Sequence, residues 1–450
     1  MKQTLKKLVL TALPLMLGMA ANAINHLVDS VFLGHYSETS LAACLPGNML
    51  GTFFTGFLIC TIGYTSTFVA QFHGAKKYTA AWSAFLQGLY LSLLSIPIFL
   101  LMIPLGDFFI GLTGHECVLQ DQERIAFHYA VIGGIVTLLT TVLSGFFTGQ
   151  GKTRLVGLAT VAGCVVNMVL DPLLIFSLDQ GIEGAGLSSV IGCAASCIII
   201  TFALTRDRFF HEQMHSGNRA FRPALALRIL RFGAPFGLSA LVGSGSFTVF
   251  VMALGHLSTS ALALGNACFA INNVFYTLLC AIESALVILV GRAFGRKDIL
   301  ATRRSVAAGH ILVFFVLLAC YVPILIAPGP ALRLFSGTTL TTDGSFASFG
   351  FVFLAILLFR ELFEGIQHVL TGALRGVGDT RTIFRAHFVA SILIQLPLVV
   401  LVTSMTRSPI VLWATMPFTF AIHALLLFIR WRNGKWQKMM RSLASFRGNG

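Results

Sequence analysis

Charge is what this sequence has least of. Only 11% of its 450 residues are Asp, Glu, Lys or Arg, less than half of the roughly 25% found in a typical soluble domain. A water-soluble enzyme of this length is thereby excluded. Disulfide and zinc frameworks are missing too. The nine cysteines are odd in number, form no CxxC pair, and all but Cys117 fall inside apolar runs, where a thiol packs as a small hydrophobe. No Walker A, GxSxG, HExxH or dinucleotide fingerprint is present, so neither ATP-driven transport by this chain alone nor a cofactor is expected. The histidines His26, His310, His368 and His423 stand at no ligand spacing. What the chain has in abundance is apolar surface: 56% hydrophobic residues, 40 of them Phe, and a mean hydropathy of +0.85. That excludes disorder and leaves a polytopic membrane protein.

Stretches long enough to span a bilayer, about 20 residues or more, run over 8–34, 40–73, 78–105, 124–148, 153–177, 184–205, 225–255, 260–291, 300–327, 346–374, 382–404 and 409–430. The polar connection 206–224 divides these twelve helices six and six. The expected organisation is a first lobe over 1–206, a cytoplasmic linker over 207–224, a second lobe over 225–431 and a basic tail over 432–450. All of the 31 Lys and Arg except Arg124, Arg333, Arg407 and Arg360 fall on the side that carries both termini and the linker. By the positive-inside rule that side is the cytoplasm. The net charge of +14 is therefore a property of cytoplasmic loops, not of a nucleic-acid site. The tail, with Trp431, Trp436 and paired Met439 and Met440 among basic residues, reads as a membrane-surface segment. Lys2, Lys6 and Lys7 ahead of an apolar run ending in Ala21-Asn22-Ala23 resemble a secretory signal with an A-x-A site. A full-length counterpart of that segment in mid-chain argues against cleavage.

The halves repeat each other. Pro14, Gly34-His35, Ser37, Leu41 and Ala42 recur as Pro235, Gly255-His256, Ser258, Leu262 and Ala263 without a gap, and the same displacement carries Gly74-Ala75-Lys76 to Gly295-Arg296-Lys297. A slightly longer displacement lays LSGFFTGQGKTR (143–154) on LTGALRGVGDTR (370–381). Each half has an even number of spans, so the halves are parallel repeats of the kind that place substrate between them in secondary transporters.

Five acids fall within spans: Asp29, Asp171, Glu283, Glu361 and Glu364. At the bilayer centre each costs ~2.5–3.5 kcal/mol on insertion scales, so they point to function. Asn22, Asn25, His26 and Asp29 share one face of helix 1. Asn167 and Asp171 lie four residues apart on helix 5, ahead of Pro172, which can free a backbone carbonyl to act as a ligand. Ser189 on helix 6 lies at a similar depth. All are oxygen donors suited to Na⁺ or a shared proton; a polar network that only holds helices together is the alternative. The second half lacks this set, since Asp29 maps onto Phe250. There Glu283 shares a face with Tyr276 and Asn272 and has no obvious partner, which makes it a candidate cavity residue. Arg360 can pair with Glu364 one turn on, which leaves Glu361 uncompensated, and His368 follows a turn later.

These segments resemble the multidrug and toxic compound extrusion family over nearly the whole chain. The resemblance is carried by LVDSVFLGHYSETSLAA (27–43), FVAQFHGAKK (68–77), NMVLDPLLIF (167–176), GIEGAGLSSV (181–190), ILVGRAFGRKD (288–298) and ELFEGIQHVLTGALRGVGDTRT (361–382). It implies an all-α integral membrane fold of twelve helices in two parallel six-helix lobes, V-shaped. It also implies export of organic cations or drug-like compounds, driven by inward H⁺ or Na⁺, by a protein of the inner membrane. The family's N-lobe cation site carries over to Asp29, Asn167 and Asp171, with Ser189 where many members have Thr. These residues would be the metal ligands if coupling is to Na⁺. Glu364 matches a helix 10 acid of NorM-type members, whose helix 7 glutamate has no counterpart in Gly243-Ser244. Substrate contacts are expected from Asn25, His26, Tyr276, Glu283, Glu361 and Glu364. The expected partners are small organic cations and membrane lipids, with no nucleic acid, and the chain is expected to act as a monomer. A flippase of lipid or lipid-linked saccharide from the same superfamily is the second reading, disfavoured by five intramembrane acids against one Arg. A channel or a membrane-embedded enzyme ranks lower.

Overall fold

With no water in the bilayer core, every peptide group must be satisfied within its own segment, and the apolar runs accordingly become helices. The computed structural model describes residues 1–216, 219–326, 344–406 and 408–442. Arg333, Asp343, Arg407 and the tail from 443 onward lie outside the described residues. The spanning helices are α1 Lys2–Tyr36, α2 Glu38–Gly74, α3 Tyr78–Gly111, α4 Cys117–Gly149, α5 Thr153–Ser177, α6 Gly181–Thr205, α7 Pro223–Leu257, α8 Thr259–Gly295, α9 Ile299–Ile326, α10 Gly344–Val377, α11 Thr380–Met405 and α12 Pro409–Arg432. Among the described residues there is no strand. Among the described residues, eleven helices are long and apolar enough to cross a membrane.

The sequence repeat is also a repeat of backbone detail. Ser37 and Ser258 are both extended residues whose hydroxyl accepts a hydrogen bond from the backbone N–H three residues on, capping α2 and α8. Lys76 and Lys297 both take left-handed φ, 59° and 60°. After α4 and α10 the turns pass through Gly151 and Gly378 at φ 80° and 90°, a conformation that glycine alone adopts without strain.

Residues 13–238 form one compact unit, and residues 1–12 with 239–450 form the other. The division falls inside α1 and α7, not in the polar linker. The reason within the first unit is the flat face of α7: a Cβ on Gly233 would stand 1.9 Å from the Thr61 carbonyl, and one on Gly237 2.7 Å from the Phe57 carbonyl. The linker itself contributes a short helix, Arg208–Ser216. Its Phe209 and Phe210 pack on Tyr78, Trp82 and Phe146. In the same unit α2 and α4 meet through Gly47 against Ala126 and Gly51 against Ala130, the small-residue packing that membrane helices favour.

In the second unit the corresponding helices meet the same way, α8 and α10 through Gly372 at Glu283 and Gly376 at Val290. Its core is aromatic. Phe250, the residue that stands for Asp29 in the repeat, is fully buried and edge-on to Trp413, which also packs with Phe269 and Phe353. The tail differs from the membrane-surface expectation. Lys435–Ser442 is a helix that turns Trp436 inward, buried and stacked on Trp431 at 4.5 Å with its indole N–H on the Trp431 carbonyl. Met440 of the same helix is likewise buried against protein.

Candidate functional site

Three helices of the first unit build the site. Gly18 and Gly157 let α1 lie against α5, where a Cβ on Gly157 would stand 2.2 Å from the Pro14 carbonyl. A few turns on, Asn22 accepts a hydrogen bond from the Cys164 thiol at 2.9 Å. Gly163 and Gly192 bring α5 onto α6 so closely that a Cβ on Gly192 would sit 2.9 Å from that of Asn167. Polar side chains from all three helices then converge. Asp29 lies within side-chain hydrogen-bonding reach of both Asp171 and Ser189. Asn167 donates to the Ser189 hydroxyl at 3.0 Å, and the Ser188 hydroxyl donates to Asp171 Oδ1. Beyond Pro172, which has no N–H to give the preceding turn, α5 ends in a π-helical stretch, Leu173–Ser177.

All of the set but the half-buried Ser189 is buried: Asp171 is 0% exposed, Asn167 2%, Asn25 8% and Asp29 8%. Yet Asn25 Oδ1, Asp29 Oδ1, Asn167 Oδ1 and Asp171 Oδ2 receive no hydrogen bond from any protein donor. Buried acceptors are normally satisfied, and two bare carboxylates side by side repel each other. A proton or a small cation placed among these oxygens relieves both costs. Among the described residues no three His, Cys, Asp or Glu groups could hold a metal ion together. Any cation here is therefore held by two carboxylates with amide and hydroxyl oxygens, a hard-cation donor set.

The four residues read from the sequence as the coupling set, Asp29, Asn167, Asp171 and Ser189, are thus brought together, and Asn25 sits beside them. His26 is exposed and is not part of the cluster. Ser188 was missed: it supplies the hydrogen bond to Asp171, and the only signal for it was its place next to Ser189.

In the second unit one expectation is corrected and another is refined. Glu361 is not without a contact, because Arg360 Nη2 donates to Glu361 Oε1 at 2.9 Å as well as to Glu364, but one guanidinium is shared by two acids and Glu361 Oε2 receives no hydrogen bond. Glu283 is not without a partner: it bonds His368 Nδ1 at 2.7 Å and faces Arg375 at 3.6 Å. Intrahelical spacing identified the Arg360–Glu364 pair, but not the cross-helix partners. Tyr276 is 46% exposed, with its ring 5.5 Å from that of His368. Asn272 is buried and accepts from Arg360.

Comparison with known proteins agrees with this architecture. The MatE family model matches residues 14–173 and again 235–401, once in each half of the repeat. The chain is 25% identical to the probable multidrug resistance protein NorM of Photorhabdus laumondii, with 94% of each chain covered. It is likewise 25% identical to the NorM of Bacillus subtilis, with 90% of each covered. In three dimensions it is similar to the outward-facing conformation of a multidrug resistance MATE family transporter of the MOP superfamily. That likeness has a TM-score of 0.85 at 19% identity and covers 97% of this chain and 96% of the other. With twelve helices, a repeat matched in both halves and relatives aligned over nearly their full length, the chain is a multi-pass membrane protein that belongs to the MatE family.

Proposed function

We propose that this protein is a secondary antiporter of the cytoplasmic membrane, exporting organic cations or drug-like compounds in exchange for inward H⁺ or Na⁺, with both termini in the cytosol. The observation that carries the reading is the group of four buried oxygens, on Asn25, Asp29, Asn167 and Asp171, that no protein donor satisfies. The NorM relatives, named as multidrug resistance proteins, support the cargo class. Occupancy by the ion neutralises the Asp29–Asp171 pair and draws α1, α5 and α6 together. Its loss leaves two acids that repel, and α1 and α5 relax about Pro14 and Pro172. The buried acid pair Asp29 and Asp171 attracts the organic cation and the ion alike, so each disfavours the other. Exchange follows if the two conformations differ in affinity for the ion.

Dye efflux from proteoliposomes, driven first by an imposed pH gradient and then by a sodium gradient, tests the reading and identifies the ion. Efflux under one gradient, lost in Asp29→Asn, is expected; undiminished efflux in Asp29→Asn contradicts the site. Topology has its own test. Cys117, at the start of α4, is the exposed cysteine among the described residues. A membrane-impermeant maleimide added to intact cells is expected to label it, and labelling only after lysis contradicts the orientation.

A further inference from the structure

Arg360 stands among the buried acids of the second unit. Its Nη2 donates to Glu361 Oε1 at 2.9 Å, to Glu364 Oε2 and to Asn272 Oδ1. The guanidinium carbon lies 4.6 Å from the centre of the Phe420 ring, and Nη1 lies 3.9 Å from Met416 Sδ. Arg360, Glu361, Glu364 and Asn272 are all less than a tenth exposed. Three oxygens from α8 and α10 therefore converge on a single nitrogen, and the apolar side of the group is closed by an aromatic face, which attracts a cation.

The neighbouring acid is balanced in the same way, since Glu283 has His368 and Arg375. Among the described residues no Lys, Arg or His is paired with Asp29 or Asp171 in the first unit. Two carboxylates one turn apart inside a membrane cannot stay bare; they take a counterion or a proton. In the second unit the counterion is covalently part of the chain.

We propose that Arg360 is a tethered cation: its guanidinium fills an oxygen site, made by Asn272, Glu361 and Glu364, that would otherwise bind a monovalent cation, metal ion or proton. The second unit therefore binds no metal cation at this position, and removing the guanidinium opens a latent site there. The inference goes beyond the antiport reading and does not depend on Asp29 and Asp171 being the coupling site.

The test uses the full-length protein, purified in detergent, with Asp29→Asn and Asp171→Asn as the parent. Radiolabelled sodium binding at alkaline pH and potentiometric proton uptake are measured on each variant. Adding Arg360→Met is expected to gain about one equivalent of sodium or, if the site prefers it, of protons. Arg360→Lys is expected to gain neither, and Glu361→Gln with Glu364→Gln is expected to remove what Arg360→Met gained. A monodisperse Arg360→Met variant that gains neither ion overturns the proposal. Because that variant can fail to fold, the parent supplies a second measurement. Exchangeable sodium bound while Arg360 is present, and lost on Glu361→Gln with Glu364→Gln, also overturns it. Failure of the antiport reading looks different: wild-type binding would be unchanged by Asp29→Asn and Asp171→Asn.

Discussion

In the first unit Asp29 and Asp171 face each other with amides and hydroxyls around them and no basic partner among the described residues, whereas in the second Glu283, Glu361 and Glu364 each have a base within bonding distance. The two units share backbone turns, caps and glycine contacts, so the difference is one of side-chain chemistry on a common frame. A carboxylate in a membrane needs a countercharge. Where the chain supplies it, the acid is fixed in place and stabilises its unit. Where the chain withholds it, the proposed countercharge comes from solution, and its arrival and departure would drive the cycle. The same frame tolerates a reversal of sign at the turns after α4 and α10. Lys152 after α4 pairs with Asp207 beyond α6, while Asp379 after α10 pairs with Arg430 near the end of α12.

Asp171→Asn is the substitution with the largest expected effect. Gradient-driven efflux falls at least tenfold, about 1.4 kcal/mol or more of lost coupling, read as initial rates in proteoliposomes. Its counterpart in the second unit, Glu361→Gln, keeps efflux within about threefold but lowers stability by ~1.5–3 kcal/mol, since Arg360 loses one charged hydrogen bond; thermal unfolding monitors this. Reversed outcomes would exchange the roles of the two units. Next comes packing. Gly157→Val forces α1 from α5, whereas Gly309→Val, whose Cβ would meet Leu286 at 2.8 Å, strains only the second unit. Each costs ~1–3 kcal/mol as overpacking, but only Gly157→Val is expected to separate Asp29 from Asp171 and uncouple efflux. The smallest effect is at the ion pairs beside the turns after α4 and α10. Lys152→Ala costs about 1 kcal/mol, since Lys152 is half-exposed and solvent screens the pair, and a double-mutant cycle with Asp207→Asn isolates that term.

Much of this contrast was legible in the sequence, because spans, repeat and intrahelical spacing are one-dimensional properties. The stripe on α1 and the Asn167–Asp171 spacing placed the first cluster, and the Gly-Lys-Thr-Arg and Gly-Asp-Thr-Arg segments placed matching turns. What the sequence hid was every partnership across helices in the second unit. Nothing local to Glu283 announces His368, and nothing local to Arg360 announces Asn272 or Phe420, since helix rotation and crossing decide which side chains meet. Ser188 was hidden by degeneracy: adjacent serines point about 100° apart on a helix, and only packing selects which one meets Asp171. Trp436 was misassigned because a basic segment with interleaved aromatics has the same composition whether it covers lipid or protein.

The account turns on whether the open oxygens of the first unit carry the exchanged ion, and the most direct measurement is the ion displaced when cargo binds. An organic-cation dye added to the purified protein is predicted to release H⁺ or Na⁺ from the wild type and none from Asp171→Asn, while the Glu361→Gln protein releases as much as the wild type. Undiminished release from Asp171→Asn would contradict it.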